Sequence, residues 1–195
     1  MTSRYKLKEI KKKAERILKM IPHKTGLKLL DIGCGEGMMT NEFFKAGYDC
    51  EGFDIDEESI EISKRDYPKI KFGVRDAWDV DYSKYDIIIS WGVFCYVPDL
   101  EGLLKKIEKE MKRGAILIFT IPNICSLNRR LKSLMGKNPT GGEKPIQTIT
   151  FKQAERLIQP LNFSKKEILP FHYDNILNKM PIRNLNSHII FRLIK

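Results

Sequence analysis

From position 29 to position 37 the chain reads Leu-Leu-Asp-Ile-Gly-Cys-Gly-Glu-Gly, three glycines at alternate positions after an apolar run. Glycine has no Cβ, so backbone there can approach a ligand closely, and a helix start just beyond offers unpaired N–H groups. A dinucleotide-binding turn would place its third glycine one position later, where this chain has Met38. Glu36, inside the turn, would repel a pyrophosphate. Gly33, Gly35 and Gly37 are therefore expected to cradle a cofactor without phosphates; a plain tight turn is the other reading of the glycines alone.

A run at 50–55 supplies the next group. It carries Asp54, about twenty residues beyond the turn, where such folds place an acid that accepts both ribose hydroxyls. Asp56 either substitutes for it or caps the following helix. Further on, Asp76 can accept a hydrogen bond from an adenine amine, and Trp78 can wall the adenine or serve as core. S-adenosylmethionine meets these demands: it has an adenine, a ribose, an amino-acid end and a cationic sulfonium, and no phosphate.

These residues need a scaffold that alternates strands and helices. Helical spacing of Leu7, Ile10, Ala14, Ile17, Leu18 and Ile21 predicts a helix over 3–20, ended by Pro22. Short apolar runs at 27–32, 50–55, 70–74, 85–90 and 115–121 read as strands. Between them, 38–46, 57–66 and a segment capped by Asp99 and stopped by Gly114 read as helices. The last third is less regular, with helices expected at 126–135 and 151–159, the second capped by Thr150. Strands are expected at 163–171 and 187–194, and loops at 136–145 and 172–186. Alternation of this kind builds a mostly parallel sheet with helices on both faces.

In this order and spacing the segments resemble the class I methyltransferases. The segment 29–37, Asp31 included, resembles that family's first motif. Gly52-Phe53-Asp54-Ile55-Asp56 is similar to its second and Asp76-Ala77 to its third. The stretch 85–99 resembles its fourth strand and the loop beyond, and Lys112-Arg113-Gly114 with the strand ending at Pro122-Asn123 resembles its fifth. The resemblance spans 27–123. It implies an α/β fold, a Rossmann-like doubly wound sheet of seven mostly parallel strands. It also implies S-adenosyl-L-methionine as cofactor and S-adenosyl-L-homocysteine as product. By the same resemblance Gly33, Cys34, Gly35 and Gly37 would face the methionine part, and Asp31 would hold its amino group through water. Asp54 and Ile55 would take the ribose side, Asp76 and Ala77 the adenine, and the backbone of Ser90 and Trp91 would lie near the reactive methyl. The whole chain is expected to form one domain. Its parts are a basic helix (1–22), a cofactor-binding core (27–123), an insertion over the active site (124–150) and a C-terminal helix with strands (151–195).

The acceptor is harder to read. A neutral hydroxyl acceptor needs a general base. Relatives acting on small hydroxylated molecules often carry a His after the fourth strand, where this chain has Tyr96, a poor base at a usual pKa of about 10. Tyr96 can still orient a substrate or simply pack. His172, beyond the sixth strand, is the other candidate base, or a surface residue. Cys95 lacks the Pro-Cys context of a cytosine-methylating nucleophile and reads as a buried thiol. Ser90-Trp91-Gly92-Val93 replaces the Asn-Pro-Pro-aromatic motif of nucleobase amino-methylation. Segments 122–137 and 148–163 resemble methyltransferases associated with methionine biosynthesis and the ubiquinone O-methyltransferase type. In those relatives the insertion covers the active site. Arg129, Arg130 and Lys132 would then receive an anionic acceptor, or else coat a solvent-facing helix.

Composition sets the outer bounds. The net charge is +10, and residues 1–28 hold ten Lys/Arg against two acids. Such a surface attracts anions or nucleic acid, or is a plain solvated face. Tyr5 is the only Phe, Tyr or Trp in that stretch, so the stacking aromatics of an RNA-binding surface are sparse. Cys34, Cys50, Cys95 and Cys125 form no C-x-x-C pair, which argues against structural zinc and suits reduced thiols in the cytoplasm. No signal-peptide run is present, and the most apolar stretch, 115–121, is too short to span a membrane. The leading expectation is methyl transfer to oxygen or nitrogen of a small molecule. An RNA or protein methyltransferase is the alternative, and a cofactor-binding protein without catalysis a third.

Overall fold

Central strands rich in isoleucine need cover on both faces, and the chain supplies it. The computed structural model describes residues 3–137, 145–171 and 187–195. In chain order its elements are α1 (Ser3–Leu18), β1 (Lys28–Ile32), α2 (Met38–Lys45), β2 (Asp49–Asp54), α3 (Glu57–Asp66), β3 (Lys71–Val74) and β4 (Ile87–Ser90). They continue with α4 (Leu100–Glu110), β5 (Ile116–Pro122), α5 (Leu127–Leu134), α6 (Phe151–Ile158), β6 (Lys165–Phe171) and β7 (His188–Ile194).

One seven-stranded sheet has the order β3-β2-β1-β4-β5-β7-β6. The first five strands in sequence pair in parallel, while β7 runs antiparallel to both β5 and β6. The expected doubly wound, mostly parallel sheet is therefore the one observed. The chain winds outward from β1 to β3, then returns to lay β4 on the other side of β1. Ligands of such sheets sit outside the carboxyl ends of the strands at this reversal.

Every residue of β4 and β5 is buried. Ile88 joins one core, packed with Leu103, Leu104 and Ile107 of α4. Ile87 and Ile89 join the opposite core, with Ala14 and Ile17 of α1 and Phe43 of α2. The basic first helix is thus a structural layer: Ala14 and Ile17 are buried, while Leu7, at its start, is exposed together with Lys8 and Lys11. Phe119 of β5 stacks on Phe191 of β7 with ring centroids 4.3 Å apart.

Caps follow the expected residues. The Asp99 side chain accepts from Gly102 N at 2.9 Å at the start of α4. Thr150 and Gln153 form a reciprocal capping box on α6. Asp56 sits at the N-cap of α3, but its carboxylate takes the Ser59 hydroxyl instead of a backbone N–H. Pro170 lies in β6, an edge strand, where a missing N–H is tolerated. The three single-turn 3-10 helices at Ala77–Asp79, Tyr82–Lys84 and Phe94–Tyr96 carry no periodic pattern and are not read from sequence. Among the described residues, no helix is long and apolar enough to cross a membrane.

Candidate active site

The turn after β1 is fixed from behind by β2. Gly33 N and Cys34 N both donate to the Phe53 carbonyl, at 2.7 and 3.2 Å. Gly35 N donates to Asp54 Oδ2 at 2.8 Å, and Asp56 N donates to Asp54 Oδ1 at 3.0 Å. Asp54 therefore has a structural task of its own. It clamps the turn to the end of β2, and each of its oxygens keeps a second acceptor position.

The three glycines differ in what surrounds them. All have positive φ, +72° at Gly33, +52° at Gly35 and +76° at Gly37. A Cβ on Gly33 would run into Val93, which approaches from the loop after β4. One on Gly37 would lie 2.7 Å from the Phe72 ring and 3.0 Å from Ser63 Cβ. A Cβ on Gly35 would meet nothing within 4 Å. Two glycines thus answer to packing within the protein, and Gly35 alone of the three opens onto free space.

Asp31 is fully buried (0% exposed) near the end of β1. Its Oδ2 accepts the Thr40 hydroxyl of α2 at 2.7 Å, while Oδ1 is buried with no hydrogen-bond partner. Burial pushes its carboxyl up to about 7; the Thr40 bond opposes the rise and the nearby Asp54 charge adds to it. The Cys34 thiol is pushed well up by burial, then by Asp31 and Asp54, which makes it a neutral wall and not a nucleophile. Ser90, at the end of β4, is also fully buried with an unpartnered hydroxyl oxygen. Two buried polar atoms without partners thus lie near the carboxyl ends of adjacent strands.

On the far side of the turn the surface becomes apolar. Ile55, just past β2, is 72% exposed, and Trp78 is 39% exposed in the turn that follows β3. Trp78 is therefore not core. Asp76 is exposed and spends one oxygen on Trp78 N at 2.8 Å. Tyr82 donates its hydroxyl to the Ala77 carbonyl, fixing that turn from inside the core.

A sequence profile of the methyltransferase domain matches residues 4–164. This chain belongs to the methyltransferase-domain family. It is 28% identical over 152 residues to a ubiquinone biosynthesis O-methyltransferase of Pelagibacter ubique (strain HTCC1062), covering 73% of this chain and 61% of that protein. It is 31% identical over 113 residues to an ATP synthase lysine N-methyltransferase of Rattus norvegicus, covering 55% of this chain and 50% of that one. The chain thus spans about half to three-fifths of the length of these relatives. Its fold is similar to that of Haemonchus contortus phosphoethanolamine N-methyltransferase 2 in complex with S-adenosyl-L-methionine. The TM-score is 0.71 at 16% identity, covering 94% of this chain and 52% of that one. A similar fold occurs in an S-adenosylmethionine-dependent methyltransferase of Archaeoglobus fulgidus, with TM-score 0.70 at 19% identity, covering 95% and 94%.

A second set of residues gathers beyond β4 and β5. Gly92 N donates to the Thr120 hydroxyl of β5 at 2.9 Å, holding the loop after β4. In the next turn Phe94 and Cys95 are buried while Tyr96 is 43% exposed. The Cys95 thiol contacts the Gly92 carbonyl at 3.6 Å, as suits a structural thiol. Trp91 packs edge-on against Phe171 of β6, with centroids 4.9 Å apart. A strap at 145–150 crosses these strand ends. Gln147 N donates to the Cys95 carbonyl and Gln147 Nε2 to the Val97 carbonyl, both at 2.9 Å, and Ile149 bridges to Asn123. Arg129 and Arg130 lie on α5, Arg129 half-buried and Arg130 exposed. His172 lies outside the described residues. His23 is exposed, and His188 starts β7 opposite Pro122, with its Nδ1 3.0 Å from the Ser187 hydroxyl. No cluster that could hold a metal occurs among the described residues.

Thr40, Thr120 and Gln147 are not legible in the sequence, because each acts through a partner elsewhere in the chain and none stands in a motif that marks it.

Proposed function

We propose that this methyltransferase uses S-adenosyl-L-methionine to methylate a small molecule at oxygen or nitrogen. The observation that carries the cofactor reading is Gly35. It opens onto free space, its N–H is held by Asp54, and it stands near a buried Asp31 oxygen that lacks a donor. That donor set suits an adenosine with a cationic amino-acid end. Asp31 would receive the ammonium group, directly or through water. Asp54 would accept from the ribose hydroxyls with the acceptor positions that Gly35 N and Asp56 N leave open. Asp76 and the Ala77 backbone would meet the adenine, with exposed Ile55 and Trp78 as apolar walls. The bound cofactor supplies the electrophilic methyl group. The protein's share is to align acceptor and methyl and to exclude water.

The acceptor side is supported by α5 and the strap. Ile124, Leu127, Leu131 and Ile146 expose apolar surface close to Tyr96, Arg129 and Arg130 in the chain's layout. This combination favours an acceptor with an apolar body and an anionic group, with Tyr96 orienting it. A protein lysine acceptor is the second reading, favoured by the likeness to the lysine N-methyltransferase.

Calorimetric titration with S-adenosyl-L-homocysteine tests the cofactor. Micromolar binding supports it, and no binding to folded protein overturns it. A screen of phenols, quinols and small acids against a lysine-bearing protein then separates the two acceptor readings by methyl incorporation.

A further inference from the structure

The buried carboxylate of Asp31 has one oxygen bonded from α2 and one without a partner. The Thr40 hydroxyl reaches across from the first turn of α2 and occupies the other oxygen at 2.7 Å. Both side chains are fully buried, and no other described residue donates to this carboxylate. We propose that Thr40 is a positioning residue for cofactor binding: its hydroxyl engages one oxygen of Asp31, so that the other is left to receive the ammonium group of the cofactor's amino-acid end. The proposal rests on the assignment of Asp31 to that end of the site.

The electrostatic surroundings make such a donor necessary. A carboxylate without water tends to take up a proton, and the neutral acid attracts a cation weakly. Of the titratable groups that face Asp31, the Asp54 charge worsens this and the neutral thiols do not relieve it. Asp54 and Cys50 come from β2 and Cys34 from the turn, and none of them is a cation. β4, the other neighbour of β1, opposes Asp31 with Ile89 and contains no titratable side chain. From α2 comes the Thr40 hydroxyl, together with the positive end of the helix, which also favours the ionised form. Burial holds the Asp31 carboxyl near about 7, and the Thr40 bond is what lowers it. Without that bond the carboxylate would stay protonated to higher pH.

The test is the pH profile of S-adenosyl-L-homocysteine affinity, measured by calorimetry between about pH 5 and about pH 9. Wild-type affinity should fall about tenfold per unit once pH drops below the titration of Asp31. In Thr40→Val that fall should begin at higher pH. Affinity should then be about tenfold weaker at neutral pH for each unit the midpoint moves, and converge on wild type in alkaline buffer. Thr40→Ser, which keeps the hydroxyl, should retain the wild-type profile. The cofactor's own amine titrates equally in all variants and cancels from the ratios. Should Thr40→Val not fold, Thr40→Ala carries the same expectation, and carboxyl carbon-13 titration of Asp31 without ligand reads the midpoint directly. A uniform weakening at every pH, or an unmoved midpoint, overturns the role of Thr40. Asp31→Asn separates the two assignments. If it binds with the wild-type profile, Asp31 itself is misassigned; if it binds weakly while Thr40→Val leaves the midpoint unmoved, only the role of Thr40 fails.

Discussion

The two ends of the strand-edge site are built on opposite principles. The end formed by β1, β2 and α2 is polar, buried and tied by hydrogen bonds that reach from strand to turn to helix. The end formed by α5 and the strap at 145–150 is apolar, exposed and held mainly through backbone. On α5, Leu127, Leu131 and Leu134 stand at helical spacing on one side and all are exposed, Leu134 by 84%. The contrast teaches where specificity resides. A ligand shared across a family can be met by rigid, fully determined contacts. The α5 helix proposed for the acceptor side has exposed side chains that are free to change without disturbing a core.

The sharpest way to break this comparison is to exchange the behaviour of two glycines. Gly35→Val should abolish S-adenosyl-L-homocysteine binding in calorimetry. The added strain at positive φ should lower stability by only about 1–2 kcal/mol, because a Cβ there meets nothing within 4 Å. Gly33→Val should lose more stability in thermal melts, since it collides with Val93. If both variants behave alike, the turn is a packing device throughout.

Asp31 sharpens the same contrast through pH. Its folded-state pKa, about 7, is raised above the ordinary carboxylate value, so the folded protein holds the proton more tightly than the unfolded chain. The stability contributed by this group is present at low pH and is lost as pH rises from about 4 to about 7. Cofactor-free Asp31→Asn should therefore out-melt wild type by a margin that widens over this window and is level above it, reaching a few kcal/mol. A margin independent of pH would count against a buried, proton-retaining carboxyl.

Asp54→Ala should weaken S-adenosyl-L-homocysteine binding by about 1–3 kcal/mol, part of it through release of the Gly35 N–H. Unchanged affinity would sink the ribose assignment. The smallest effect belongs to the other end. Leu134→Ser should change stability by less than about 0.5 kcal/mol and leave cofactor affinity intact. A marked loss of stability would show that this face is covered.

Much of this architecture can be read from residue order, because strands buried on both faces announce themselves as isoleucine runs. Asp54 is legible because it stands about twenty residues beyond a glycine turn, at the end of a short strand. The unequal roles of Gly33, Gly35 and Gly37 are not legible. They are decided by Val93 and Phe72, which arrive from other parts of the chain. Thr40 reads as an ordinary helix residue until β1 brings Asp31 against it. β6 is faint because an edge strand needs no continuous apolar run, and it opens on two Lys and a Glu before reaching Ile168. Acceptor-side residues are fainter still, since exposed leucines on a basic helix look like any amphipathic surface.

The antiparallel insertion of β7 between β5 and β6 also has a bearing on biosynthesis. Spatial order and order of synthesis disagree at this edge. β6 leaves the ribosome before the strand that joins it to the sheet, and β5 presents an unpaired apolar border until residues 188–194 have emerged. The nascent chain must carry that open border until those residues are made.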